Sequence, residues 1–196
     1  MPFDISRPIP QELVHRGKRY QLFLSFDNVL RVFEMFQDDD IEDLSKPYFA
    51  MILLTGSQDF NDLYAEEVIE VYKQVFDEHI KVTRPIDEAP RYDLEGNVLP
   101  SRKTEDDEDE DRAPFSFKYD GEYIFASFLQ AYGLDLIEQQ GVLSWRKFNA
   151  LLAGLPDSTK LSRVMEIRSW KPSDTKDKKE RERMRKLQKL YELPNE

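Results

Sequence analysis

The apolar positions of this chain recur mainly at the three-and-four spacing that places side chains on one face of an α-helix. The exception lies near the start, where residues 12–24 alternate around Gly17 in the manner of a small β-hairpin. Six helical segments follow, bounded by capping residues, Gly and Pro. They begin at or near Ser25, Ser45, Asn61, Asp120, Ser144 and Thr159. The pattern therefore predicts a mainly α fold, a multi-helix bundle in one domain or two small lobes with an amino-terminal hairpin.

Proline and acidic residues interrupt the helical pattern in the middle of the chain. Residues 84–116 contain four prolines, and residues 105–111 are all Asp or Glu. Because seven adjacent carboxylates repel one another and bury nothing, this segment is predicted to be a long linker or loop. It separates a hairpin-and-helix region, 1–83, from a helical lobe, 117–172, and a charged carboxy-terminal helix, 173–196.

The net charge of −11 is distributed unevenly along the chain. Residues 1–140 carry 14 basic and 31 acidic side chains, a charge of −17, whereas residues 141–196 carry 14 and 8, a charge of +6. The acidic run has two interpretations: it solvates and spaces the lobes, or it latches electrostatically onto the basic carboxy-terminal segment. Acidic residues interleaved among those basic ones weaken their field, so nucleic acid is not expected as a partner.

The residues needed for common catalytic and metal sites are missing or scattered. The chain has no cysteine, only His15 and His79, no Gly-x-Ser-x-Gly elbow and no glycine-rich phosphate loop. The acidic cluster 38–43 lacks the glycine and glutamate that a calcium loop requires. We therefore predict a non-enzymatic protein without metal or cofactor. No leader and no run of 18 apolar residues is present, so neither export nor membrane insertion is expected.

Three stretches of the carboxy-terminal half resemble a family of phage tail proteins. They are residues 122–136, 143–156 and 165–168, and the most specific part is the string Trp-x-x-Phe-x-x-Leu-Leu-x-Gly-Leu that begins at Trp145. The family's members are encoded beside the tape measure gene in long-tailed phages of Gram-positive bacteria and are regarded as tail assembly chaperones.

The resemblance implies a partner and a place of action. The chaperone would bind the aggregation-prone tape measure protein in the host bacterial cytoplasm, until tail tube subunits displace it, and would be absent from the virion. Self-association and contact with the tail tube protein are further expectations. Two other functions stay open: a structural tail component, and a nucleic-acid binder acting through the basic carboxy-terminal helix.

A docking surface for an amphipathic helix would use aromatic and arginine anchors in a groove between helices. The candidate partner-binding residues are Trp145, Arg146, Lys147, Phe148, Leu152 and Arg168. An alternative is that Trp145 and Phe148, which share a helix face with Leu152, belong to the core.

Overall fold

A computed structural model of the chain describes residues 5–81, 91–93, 95–99 and 114–194. Over these ranges the prediction of a mainly α fold with an amino-terminal hairpin is confirmed. In chain order, the elements are β1 (Glu12–His15), β2 (Lys18–Gln21), α1 (Phe26–Phe36), α2 (Lys46–Thr55), α3 (Ala65–Val75), β3 (Arg91–Tyr92), β4 (Val98–Leu99), α4 (Gly121–Tyr132), α5 (Trp145–Ala153), α6 (Lys160–Ser169) and α7 (Lys178–Leu190). None of the helices in the described ranges is long and apolar enough to cross a membrane.

The chain forms two compact units, and the first is discontinuous. Unit 1 comprises Met1–Arg102 together with Gln139–Ala153, and unit 2 comprises Lys103–Glu138 together with Gly154–Glu196. The sequence pattern grouped residues 117–172 in one lobe, whereas the structure gives α5 to unit 1. The physical reason is a set of hydrogen bonds between segments distant in sequence, which is described with the candidate site below.

The amino-terminal hairpin forms where the alternation predicts it. β1 and β2 pair antiparallel, with Leu13 opposite Tyr20, and both of these side chains face the core of unit 1. Arg16 and Gly17 make the two-residue turn with φ of 48° and 76°. Positive φ at both central positions matches the right-handed twist of the flanking strands, so the hairpin closes without splaying them.

The core of unit 1 consists of the apolar stripes that the helical spacing predicts. Val29, Val32 and Phe33 of α1 are buried, as are residues from α2, α3 and α5. The largest fully buried side chains of this core are Trp145, Phe60, Phe76, Phe148, Leu22, Met51, Leu54 and Ile80. At α2, Pro47 lies in the first turn and Gly56 adopts the left-handed conformation that ends the helix.

The segment predicted as one helix from Asn61 to Ile80 is three elements. A 3-10 turn, Asp59–Asp62, comes first, α3 begins only after Tyr64 in an extended conformation, and the last turn, Phe76–Ile80, is a π-helix. The break has a physical reason, because burial of Phe60 and a 3.0 Å bond from the Tyr48 hydroxyl to the Leu63 carbonyl hold the chain before α3.

Part of the predicted linker belongs to unit 1 and forms the strands β3 and β4. Its acidic run, 105–111, lies outside the described residues. β3 and β4 pair antiparallel. In the turn between them, Asp93 accepts bonds from the N–H groups of Glu95 and Asn97 at 2.9 and 3.0 Å. Gly96 has φ +87° and lies directly on Phe33, so that a Cβ at position 96 would stand 2.0 Å from the Phe33 ring.

Unit 2 packs α4 against α6, and α7 lies against α6. Its core includes Phe115, Ile124, Phe128, Leu161 and Val164. The buried Ser127 hydroxyl ties α4 to α6, since it accepts the Leu161 N–H at 2.9 Å and donates to the Tyr123 carbonyl at 2.6 Å.

The contact at Gly96 yields a matched pair of substitutions. Gly17→Ala meets no neighbouring atom, so it should cost only the positive-φ penalty, about 1 kcal/mol. Gly96→Ala carries the same penalty and also overlaps a buried ring, so it should lower the free energy of unfolding by about 3 kcal/mol. Urea denaturation followed by Trp145 fluorescence in a Trp170→Phe background measures the free energy of unfolding of both variants. Equal losses of this free energy would show that position 96 does not contact Phe33.

Candidate protein-binding site

The starts of α1 and α5 are joined by reciprocal main-chain hydrogen bonds. Ser25 and Ser144, the residues before the two helices, form an antiparallel bridge. The Phe26 N–H donates to the Leu143 carbonyl at 2.9 Å, and the Trp145 N–H donates to the Leu24 carbonyl at 2.7 Å. Because the first N–H groups of a helix have no partner within it, the segment before each helix supplies the acceptor for the first N–H of the other helix. We call this arrangement the α1–α5 junction.

The aromatic residues predicted as partner contacts lie in the core of unit 1. Trp145 is 0% exposed and Phe148 is 1% exposed. The Trp145 ring meets Phe33 edge-on at 5.5 Å, and the Phe148 ring stacks on Phe26 at 4.9 Å. Leu152 is buried with them. As folded, these three side chains present no surface to a partner, and the structure favours the core interpretation.

Trp145 and Arg146 together cap the carboxyl end of the π-helix. The Trp145 Nε1–H donates to the Ile80 carbonyl at 2.8 Å, while Arg146 donates to the carbonyls of His79, at 3.3 Å, and Glu78. Helix ends leave carbonyls unpaired, so three of them are satisfied here by two adjacent side chains. Partial burial lowers the pKa of Arg146. Main-chain capping is the role that the structure shows for Arg146.

The two remaining predicted residues have different surroundings. Lys147 is exposed on α5. Arg168 belongs to unit 2, where it pairs in two places with Asp120, Nη1 to Oδ2 at 2.6 Å and Nη2 to Oδ1 at 2.8 Å. Its Nε also donates to the Tyr191 carbonyl at 2.7 Å. Since Asp120 is 1% exposed, Arg168 neutralises a buried carboxylate at the start of α4, and its contacts are internal to unit 2.

Beside the α1–α5 junction, unit 1 has a groove of about 560 Å³, which we call the junction groove. Its walls are the extended segment that leads into α1, the first turns of α1, and the segment that leads into α5. Its lining residues are Gln11, Gln21, Leu22, Phe23, Leu24, Ser25, Asp27, Asn28, Arg31, Leu53, Gly141, Val142 and Ser144.

Polar side chains hold the walls of the junction groove in place. Asn28 Nδ2 donates to the carbonyls of Phe23, at 2.8 Å, and Leu53, at 2.9 Å. Asp27 accepts the Gly141 N–H at 2.8 Å. The Ser144 hydroxyl is buried and has no hydrogen-bond partner among the described residues. The walls are therefore preformed.

Two apolar side chains stand exposed at the junction groove. Phe23 is 52% exposed and Val142 is 74% exposed. The Phe23 ring rests over Gly56, where a Cβ would stand 3.1 Å from it. Exposed apolar side chains bordered by polar groups are typical of a surface that binds another protein.

Sequence reasoning missed this groove, although one signal for it exists. Tyr20, Leu22 and Leu24 are buried, so Phe23 falls on the opposite, solvent side of the same alternation. A large apolar residue on a polar face marks a candidate contact. Val142 has no such signal, because it lies in a loop whose position depends on the α1–α5 junction.

The junction groove combines polar groups with apolar ones. It offers a carboxylate, a guanidinium and amides around apolar contacts. In the part of the chain that the structure describes, no group of three or more His, Asp or Glu residues is placed to hold a metal ion.

The family model described as "Bacteriophage Gp15 protein" matches residues 8–193. No curated protein and no solved structure matches the chain.

Adjacent residues of α5 test the capping role of Arg146. Arg146→Met removes charged donors from two carbonyls and should lower the free energy of unfolding of unit 1 by about 2 kcal/mol. Lys147→Met removes the same charge from an exposed site and should change it by less than about 0.5 kcal/mol. Urea denaturation followed by Trp145 fluorescence in the Trp170→Phe background measures both, and similar values for the two variants would contradict the capping role.

His79 makes the stability of unit 1 depend on pH. Burial lowers the pKa of His79 from its ordinary value of 6.5, against the opposing effect of Glu78. The unfolded chain therefore takes up the proton first, and stability present above pH 6.5 is lost as the pH falls towards the folded-state pKa.

The variant His79→Gln isolates this effect, because glutamine stays neutral at every pH. Urea denaturation at pH values from about 7.5 to about 5.5 should show wild type losing stability relative to the variant. A stability difference that stays constant with pH would show that His79 is not held neutral by burial.

Proposed function

Since the chain belongs to the bacteriophage Gp15 protein family, we propose that it is a non-enzymatic tail assembly chaperone that binds the tape measure protein while a phage tail is built. The observation that carries this proposal is the junction groove, a preformed surface with two exposed apolar side chains and a polar border. The resemblance of the chain's sequence to chaperones encoded beside the tape measure gene supports the choice of partner.

The partner segment that suits the junction groove is an amphipathic helix. Such a helix presents apolar side chains at positions i, i+3 or i+4, and i+7. Phe23 and Val142 offer two apolar contacts, and the Asp27–Arg31 pair, 4.0 Å apart, offers both charges to the helix's polar flank.

The size of this surface fits transient binding. Two exposed apolar anchors give modest affinity per site, because interface affinity comes from a few well-packed hot spots and association has a large entropic cost. Many copies bound along one long partner would keep it from aggregating, and tail tube subunits could still displace each copy. We place this action in the host cytoplasm and expect the protein to be absent from mature virions.

Co-expression with the tape measure protein encoded at the same locus tests the proposal. Wild type should keep the tape measure protein in the soluble fraction and co-purify with it. Phe23→Asp and Val142→Asp should each lower the recovered complex at least about tenfold, since an unpaired carboxylate desolvated against an apolar partner costs more than about 1.4 kcal/mol.

Val14→Asp is the matched control for these substitutions. Val14 is an exposed apolar residue at 57% but lies outside the lining of the junction groove, so this variant should bind as wild type does. All variants must first show the urea midpoint of wild type. A tape measure protein that stays insoluble with wild type would contradict the chaperone role. Equal losses of recovered complex in all three variants would show that the junction groove is not the binding surface.

A further inference from the structure

The carboxy-terminal helix α7 carries a surface that the proposed function does not use. One side of α7 faces the rest of unit 2: Gln188 Nε2 donates to the Trp170 carbonyl at 2.7 Å, and the Tyr191 hydroxyl accepts from Lys160 at 2.7 Å. The Lys160 ammonium also lies over the Tyr191 ring, 4.3 Å from its centre. No residue of α7 is buried. This orientation turns the opposite side of the helix to solvent.

The solvent side of α7 is almost entirely cationic. The exposed residues of α7 are Lys178, Lys179, Glu182, Arg183, Arg185, Lys186, Lys189 and Leu190. At 100° of rotation per residue, they lie away from the side that contacts the rest of unit 2. Two of the six cations pair within the helix, Arg183 with Glu180 at 3.3 Å and Lys186 with Glu182 at 2.9 Å. The other four make no ion pair with a carboxylate of the described residues.

Three of these unpaired cations form a line along the helix. Lys178, Arg185 and Lys189 are seven and four residues apart, which brings them within about 40° of one another on the helix. The line is about 16 Å long at 1.5 Å per residue. Phosphates of one nucleic-acid strand are about 3.4 Å apart along the axis, so a strand of this length presents four or five, roughly the number of unpaired cations.

We propose that the solvent side of α7 binds the phosphate backbone of nucleic acid, without sequence preference. Phosphate contacts need only cations that release counterions, and that is what this side offers. A protein partner needs apolar or aromatic anchors, and Leu190 is the single large apolar residue here. A membrane surface needs an apolar helix face, and the apolar edge of α7 is turned to unit 2.

The overall negative charge of the chain does not cancel this local field. At physiological salt the Debye length is about 8 Å, so charges farther away are largely screened. Binding is therefore expected at low to moderate salt and should weaken steeply as salt rises.

The test uses the full-length protein and a fluorescently labelled random-sequence DNA duplex in anisotropy titrations between about 50 and 200 mM salt. Wild type should bind with a logarithmic salt slope near −4. The triple variant Lys178→Gln, Arg185→Gln, Lys189→Gln should have a slope shallower by about 2.7, which is 0.9 for each lost phosphate contact. It should still keep the tape measure protein soluble.

A second triple variant controls for total charge. Arg16→Gln, Lys18→Gln, Arg19→Gln removes the same charge from the β1–β2 hairpin, where these side chains pair with Glu67, Asp59 and Glu12. It should bind DNA as wild type does. Equal weakening in both triple variants, no binding by wild type, or binding to vesicles of anionic lipid or to a poly-glutamate peptide in preference to DNA would each overturn the proposal.

Discussion

The structure depends on two main-chain hydrogen bonds exchanged between the starts of α1 and α5. They join Phe26 to Leu143 and Trp145 to Leu24, and they satisfy helix N–H groups that would otherwise be buried without a partner, at a cost of about 1–3 kcal/mol each. Through them the segment Gln139–Ala153 joins unit 1. Trp145 and Arg146 then reach the three carbonyls at the end of the π-helix, and the loop before α5 becomes a wall of the junction groove. The burial of Trp145, the capping of the π-helix and the wall of the junction groove therefore all follow from the α1–α5 junction.

Sequence predicts the local part of this fold and misses the distant part. The hairpin at Gly17, the start of α1 after Ser25 and the end of α2 at Gly56 follow from neighbouring residues, so periodicity and capping rules find them. The place of α5 depends on Leu24 and Ile80, more than sixty residues away, and no local pattern encodes that. Ser25 shows the same limit, because it stands at the helix start but makes no side-chain capping bond; the Leu143 carbonyl accepts the Phe26 N–H instead.

The candidate site shows why helical spacing alone is ambiguous. The spacing of Trp145, Phe148 and Leu152 predicts one apolar face, which a core and a docking surface share. The sequence predicts Arg146 as a surface cation, yet it caps carbonyls, and Arg168 neutralises buried Asp120 in the other unit. At the junction groove the exposed apolar residues are instead Phe23, detectable in the strand alternation, and Val142, whose position is visible only in the folded chain.

The two units carry different kinds of surface. Unit 1 presents apolar contacts on walls fixed by Asn28 and Asp27, which suits recognition of a helix with little rearrangement. Unit 2 presents the cations of α7, whose contribution is electrostatic and sensitive to salt. A change in salt concentration should therefore affect the two surfaces differently.

The most direct test of the α1–α5 junction is hydrogen exchange of individual N–H groups measured by NMR. The Trp145 indole and main-chain N–H groups should exchange as slowly as the core amides of α1, because both are buried and bonded. The indole of partly exposed Trp170, in unit 2, is the internal comparison and should exchange much faster. Exchange of the Trp145 groups at the rate of Trp170 would contradict the junction and return α5 to the surface.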